Sequence, residues 1–167
     1  HVLLHERPID DLDVDFLKHV TSCPYLLAPN GYYLRDPNSN KPLIWDTKTS
    51  NAMPFDSVDT DPALEGTYRV VHGIEVGADD DTWIHRDISA PTAYELLKQH
   101  VEAHSPEWAA EISDVPAETI RRVANEYLDA ACIGETFEVE GRALPFRPVS
   151  VVLGKSVNNG WGAYECV

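Results

Sequence analysis

Residues 114–131, DVPAETIRRVANEYLDAA, constrain this chain more than any other stretch. Ile120, Val123, Ala124, Tyr127, Leu128 and Ala131 recur at i, i+3, i+4, i+7 spacing, while Arg121, Arg122 and Glu126 fall off that stripe. Only a 3.6-residue period gathers such positions on one face, so the segment predicts an amphipathic helix that needs a body to lie against. Asp114-Val115-Pro116 marks its start, since proline resists a helix interior but suits the first turn. Ser105-Pro106 opens a shorter helix to Ile112 in the same way. Ser89, as N-cap before Pro91, predicts a third over Ala90–Ala103.

Ahead of these helices the pattern turns to strands. Tyr25-Leu26-Leu27 is a short strand candidate, followed by a turn at Pro29-Asn30-Gly31. Tyr32–Arg35 and Leu43–Asp46 flank the turn-rich Asp36–Lys41, which predicts a hairpin, and Thr67–His72 predicts a further strand. Residues 47–66 read as polar and irregular, and Gly77–Asp81 as a solvated turn. Residues 1–9 read as a helix end closed at Arg7-Pro8. Ile9–Val20 reads as a short helix whose acidic start and Lys18 and His19 near its end suit the helix dipole. Phe137–Leu144 predicts a hairpin turning at Glu140-Gly141. The expected fold class is α/β, with helices, short strands and a β-hairpin insertion, as one partial domain over residues 1–167. Both ends fall inside patterned segments, so a piece of a longer chain is expected.

Composition narrows the function. There are 28 acidic side chains against 13 Lys and Arg, a formal charge of −15. Nucleic acid is excluded as a partner, because phosphate neutralisation needs clustered cations. Such an excess of acid suits a surface adapted to high salt, where screening suppresses self-repulsion. No apolar run has membrane-spanning length. Cys23, Cys132 and Cys166 are far apart and never in CxxC spacing, so they predict neither a zinc site nor a disulfide framework. Their apolar neighbours predict buried, unreactive thiols. Asp10, Asp11, Asp13 and Asp15 lack the glycine and closing glutamate of an EF-hand, and their place near a helix start accounts for them. The seven histidines form no ligand-spaced set, and neither a GxSxG elbow nor a Walker loop is present.

One stretch has the form of a ligand loop. Pro145 and Pro148 favour an extended approach, and Val149–Leu153 predicts a short buried strand. The run breaks at Gly154 into Lys155-Ser156-Val157-Asn158-Asn159-Gly160-Trp161-Gly162. In α/β proteins such a break is where backbone N–H groups come close to a ligand. The same spacing also describes an ordinary strand-to-helix turn. Gly154-Lys155-Ser156 read as a phosphate loop lacks the full Walker spacing.

Several segments, in order, resemble the molybdopterin oxidoreductase family, the dimethyl sulfoxide reductase superfamily. They are Asp15–Thr21, Asn30–Arg35, Lys41–Asp46, Pro62–Tyr68 and Ser105–Ile112 followed by Val115–Ala124. The last resembles the family's "TPE-aaeItGvpae-I-rlA" signature, with Ser113-Asp114 where relatives carry Thr-Gly. The resemblance implies an internal fragment of a catalytic subunit, nearest in flavour to thiosulfate/polysulfide reductase-like enzymes. The implied cofactor is molybdenum (or tungsten) bis(molybdopterin guanine dinucleotide), used in two-electron redox or oxygen-atom transfer on a small substrate. It further implies that Gly154, Lys155, Ser156, Asn158 and Asn159 border the pterin, where many relatives carry a G-x-G-x-x-Q-H loop. Gly154 would admit close backbone approach, Ser156 and the two Asn would hydrogen-bond a pterin edge, and Lys155 would meet an anion. No residue here matches the family's metal ligand. An iron–sulfur cluster, iron–sulfur and membrane-anchor partner subunits, and the rest of its own chain as partner are all implied outside this stretch. The competing reading from the residues alone is an acidic, non-catalytic α/β scaffold or interaction module.

Overall fold

In the computed structural model, residues 1–75 and 83–151 are described. Helices and antiparallel strand pairs make a mixed α/β body. Its core lies in the strand-rich half, where Leu26, Leu34, Leu43, Val70, Ile88 and Ala90 cluster with Ala28, Trp45, Ala52 and Tyr68 packed against them.

The backbone of this core is satisfied in an economical way. The N–H of Leu26 donates to the carbonyl of Leu43 at 2.9 Å, that of Leu43 to Leu34 at 2.8 Å, and that of Leu34 to Leu26 at 2.8 Å. The three leucines thus close a ring of backbone bonds while burying their side chains together, which removes the cost of burying bare amides. On its other side the 25–27 segment meets Pro91 and Ala93, through Leu27 N–H to Pro91 O at 2.9 Å and Ala93 N–H to Tyr25 O at 2.8 Å. Tyr25–Leu27 is therefore strand-like, as its composition predicts, although it pairs through isolated bridges. The expected hairpin around Asp36–Lys41 is present, closed by the Arg35–Pro42 bridge.

Strand β1 (Leu43–Asp46) pairs with β2 (Asn51–Pro54), and β3 (Thr67–Glu75) with β4 (Trp83–Pro91). Tyr68 and Val70 on β3 oppose Ala90 and Ile88 on β4 and face inward, whereas Arg69 and Ser89 face solvent. Trp45 stacks on Tyr68, centroids 4.6 Å apart and planes 13° from parallel, joining the first hairpin to the second. Strand β2 falls in the 47–66 stretch that composition assigns to irregular chain. A third hairpin, β5 (Thr136–Val139) with β6 (Arg142–Pro145), turns at Glu140-Gly141 as expected. Both turn residues have positive φ, +50° and +76°, the pairing a two-residue type I′ turn requires.

The helices are α1 (Val14–Val20), α2 (Ala93–Val101), α3 (Pro106–Ser113) and α4 (Ala117–Ala130). Two starts differ from expectation. The predicted Ile9–Val20 helix is split: a 3₁₀ turn at Ile9–Asp11 ends at Leu12, and Asp13 then caps α1 by accepting from Phe16 N–H. Helix α2 begins after Thr92, not after Ser89, because Ser89 through Pro91 remain paired to Arg69 through Thr67. Ser105 caps α3 as predicted, accepting from Trp108 N–H. Residues Val2–Glu6 form one π-helical turn before an extended Arg7, in place of an ordinary helix end. Arg121 of α4 ties these pieces together, pairing with Glu6 at 2.8 Å and Glu107 of α3 at 2.6 Å.

Candidate functional site

The five loop residues singled out by sequence, Gly154, Lys155, Ser156, Asn158 and Asn159, lie outside the described residues, as does Gly77–Asp81. The structure does describe the approach to that loop. After β6 the chain runs through Phe146–Val151 without joining a strand, and Val151 is exposed. The described part of the predicted buried strand Val149–Leu153 is thus unpaired. Pro145 and Pro148 explain this locally, since neither offers an N–H to a ladder.

That approach runs along a cleft of about 570 Å³. Leu3 and Leu4 of the N-terminal turn, Leu12, Phe16 and Leu17 around α1, Leu97 of α2, and Tyr127 and Leu128 of α4 supply its apolar walls. Leu12, Phe16 and Leu17 are expected from their spacing to share a face, and here that face looks into the cleft. Arg147 and Val149 close one side. The Arg147 guanidinium is engaged by the Asp13 carboxylate, clipping the segment that leads to the loop onto the start of α1. The polar groups of the cleft are few. Tyr94 is buried, and that burial, reinforced by the nearby Glu65 carboxylate, raises its phenol pKa, so it remains a neutral hydroxyl at physiological pH. Cys23, half-buried at the wall, is a free thiol.

Chemically, this cleft can hold an apolar or flat group and can offer a phenol. It does not fit an anionic dinucleotide by itself, because its one cation already serves Asp13 and desolvating phosphate needs unengaged donors. Among the described residues no group of three or more His, Cys, Asp or Glu side chains could hold a metal ion. Cys23 and Cys132 are free and half-buried, less enclosed than their neighbours suggest, and Cys166 lies outside the described residues. Among the described residues no helix is long and apolar enough to cross a membrane.

Asp46, at the end of β1, organises the turn that follows it. Asp46 is 1% exposed and accepts hydrogen bonds from the N–H groups of Asp61 at 2.7 Å and Thr49 at 3.0 Å, and from the Thr49 hydroxyl at 2.6 Å. The Thr49 hydroxyl, then these amides, hold its pKa below the usual carboxylate value. Asp61 in turn receives Lys18 of α1 at 2.7 Å and the Thr47 hydroxyl at 2.6 Å, and its pKa is lowered by both. Asp46 is therefore an organiser of the β1–β2 turn and not a free acid. Sequence reasoning does not pick out Arg147 or Tyr94. The Asp13–Arg147 pair spans 134 positions, and no local spacing can announce a contact at that separation.

Comparison with known proteins finds two redox-enzyme subunits to which part of this chain is similar. It is 33% identical over 84 residues to a sulfite dehydrogenase subunit of Allochromatium vinosum, covering 50% of this chain and 7% of that protein. It is 30% identical over 109 residues to the perchlorate reductase alpha subunit of Dechloromonas aromatica, covering 62% of this chain and 11% of that protein. The matched stretch is thus about a tenth of the relatives' length. No family model matches the chain. The chain is similar, at this coarse level, to subunits of oxidoreductases of the kind its sequence resembles.

Proposed function

We propose that this chain is one stretch of the catalytic subunit of a molybdenum or tungsten oxidoreductase carrying bis(molybdopterin guanine dinucleotide). The observation that carries the reading is the 109-residue similarity to a perchlorate reductase alpha subunit, with the 84-residue similarity to a sulfite dehydrogenase subunit beside it. When bound, the cofactor would supply two-electron or oxygen-atom transfer; the protein's part is to bind and orient it.

Within that reading the described residues serve as backing for the loop. The Asp13–Arg147 pair and the place of Val149 at the cleft hold the segment that precedes the loop in sequence. Contacts to a pterin then fall to Gly154, Lys155, Ser156, Asn158 and Asn159, since the cleft offers no unengaged cation. An iron–sulfur cluster, electron-transfer subunits and a membrane anchor belong to the same proposal and lie beyond this stretch.

The test uses the full-length subunit. Gly154→Val and Asn158→Ala should each lower the molybdenum and pterin retained per mole, without lowering the melting temperature of cofactor-free protein. Unchanged retention in both variants contradicts the assignment of the loop.

A further inference from the structure

The β5–β6 hairpin is amphipathic, yet it stands in solvent: all eight of its strand residues are exposed. Alternation puts Phe137 and Val139 on one face with their cross-strand partners Leu144 and Arg142, and Phe146 continues that face beyond β6. Phe137 meets Phe146 edge to face, centroids 6.1 Å apart. Thr136, Glu138, Ala143 and Pro145 take the opposite face. A two-stranded hairpin is marginal in water unless its apolar face is covered.

Charge says something about the cover. Arg7, Arg69, Arg121, Arg122, Arg147, Lys18, Lys41 and Lys98 each pair with a carboxylate, and Arg35 and Lys48 each reach a backbone carbonyl. Among the described side chains Arg142 alone of the arginines and lysines has no such acceptor, in a chain with a surplus of acid, and it sits on the apolar face. A carboxylate is the natural complement.

Area decides which kind of partner brings it. Phe137, Val139, Leu144 and Phe146 are 46%, 44%, 41% and 38% exposed. Such side chains together offer on the order of 300 Å², against about 800 Å² per partner in a stable bimolecular interface. A second copy of a chain carrying −15 would also have to overcome repulsion. A small face suffices when the partner is tethered, because effective concentration then replaces much of the association cost.

We propose that the Phe137–Phe146 face is the seat for another segment of the same polypeptide, one that lays apolar side chains over the hairpin and sets a carboxylate against Arg142. This rests on the reading of the chain as one stretch of a longer protein. The test is covalent surface labelling of Phe137 and Leu144 in the 167-residue chain and in the full-length protein, with metal and pterin measured on the same full-length sample. Labelling should fall severalfold in the full-length protein, and Arg142→Glu should restore it there while leaving labelling of the 167-residue chain unchanged. Equal labelling of the two proteins overturns the inference, whatever the cofactor content. Protection in a sample free of metal and pterin upholds it while removing the cofactor reading.

Discussion

Thr92 uses one hydroxyl twice. It donates to the carbonyl of Leu64 and accepts from the N–H of Glu95 at 3.0 Å, capping α2 inside the core with no exposure to water. Thr92→Val keeps the shape and leaves a carbonyl and an amide unpaired, so it should cost about 2 kcal/mol, while Thr92→Ser should cost less than about 1. Equilibrium urea unfolding of the two variants checks the order. Leu26, wholly buried in the ring of three leucines, should cost about 3 kcal/mol as Leu26→Ala. Local spacing points to Ser89 as the cap of this helix. Thr67–Arg69 instead hold Ser89–Pro91 in a ladder and leave the cap to Thr92, a long-range fact that local spacing does not carry.

At the scale of elements, local signals are faithful where a motif is self-contained. The α4 helix, the Ser105 cap and the Glu140-Gly141 turn all appear where sequence puts them, because capping, periodicity and positive φ are decided within a few residues. Of the α4 stripe, however, only Leu128 is buried, and Val123 is exposed. Strands β2 and β4 are different. Asn51–Pro54 is held by its pairing to β1 and by the Asp46 turn, and Trp83–Pro91 by β3, so neither needs a strong strand signature of its own. The candidate loop is legible as a break in a β-branched run, but the Asp13–Arg147 clip on the segment before it is not. The join of the N-terminal turn, α3 and α4 through Arg121 makes a pH prediction. Arg121 holds the Glu107 carboxyl at about 2, against an ordinary value of 4.5. A lowered folded-state pKa contributes stability that is complete above the unfolded value and lost as pH falls, here between about 4.5 and 2. The pair is largely exposed, so the effect is modest. The melting temperature of Arg121→Gln should fall less steeply than that of wild type across this window; parallel curves would remove the role given to the pair.

For the molecule as a whole, charge and apolar surface point to different surroundings. With 28 acidic against 13 Lys and Arg side chains, self-repulsion opposes the folded state at low ionic strength, and the melting temperature should rise as salt is raised toward molar concentration. No rise would remove the high-salt reading. The apolar cleft and the hairpin face, exposed among the described residues, are the surfaces on which the proposal of a covering segment rests. The central claim, that this stretch belongs to a molybdopterin-dependent oxidoreductase, is tested most directly by the cofactor itself. The full-length protein, purified after growth with molybdate or tungstate, should carry close to stoichiometric metal by mass spectrometry and pterin by fluorescence after oxidation. Protein that folds cooperatively yet carries neither metal nor pterin from either medium would contradict the account and leave the acidic scaffold in its place.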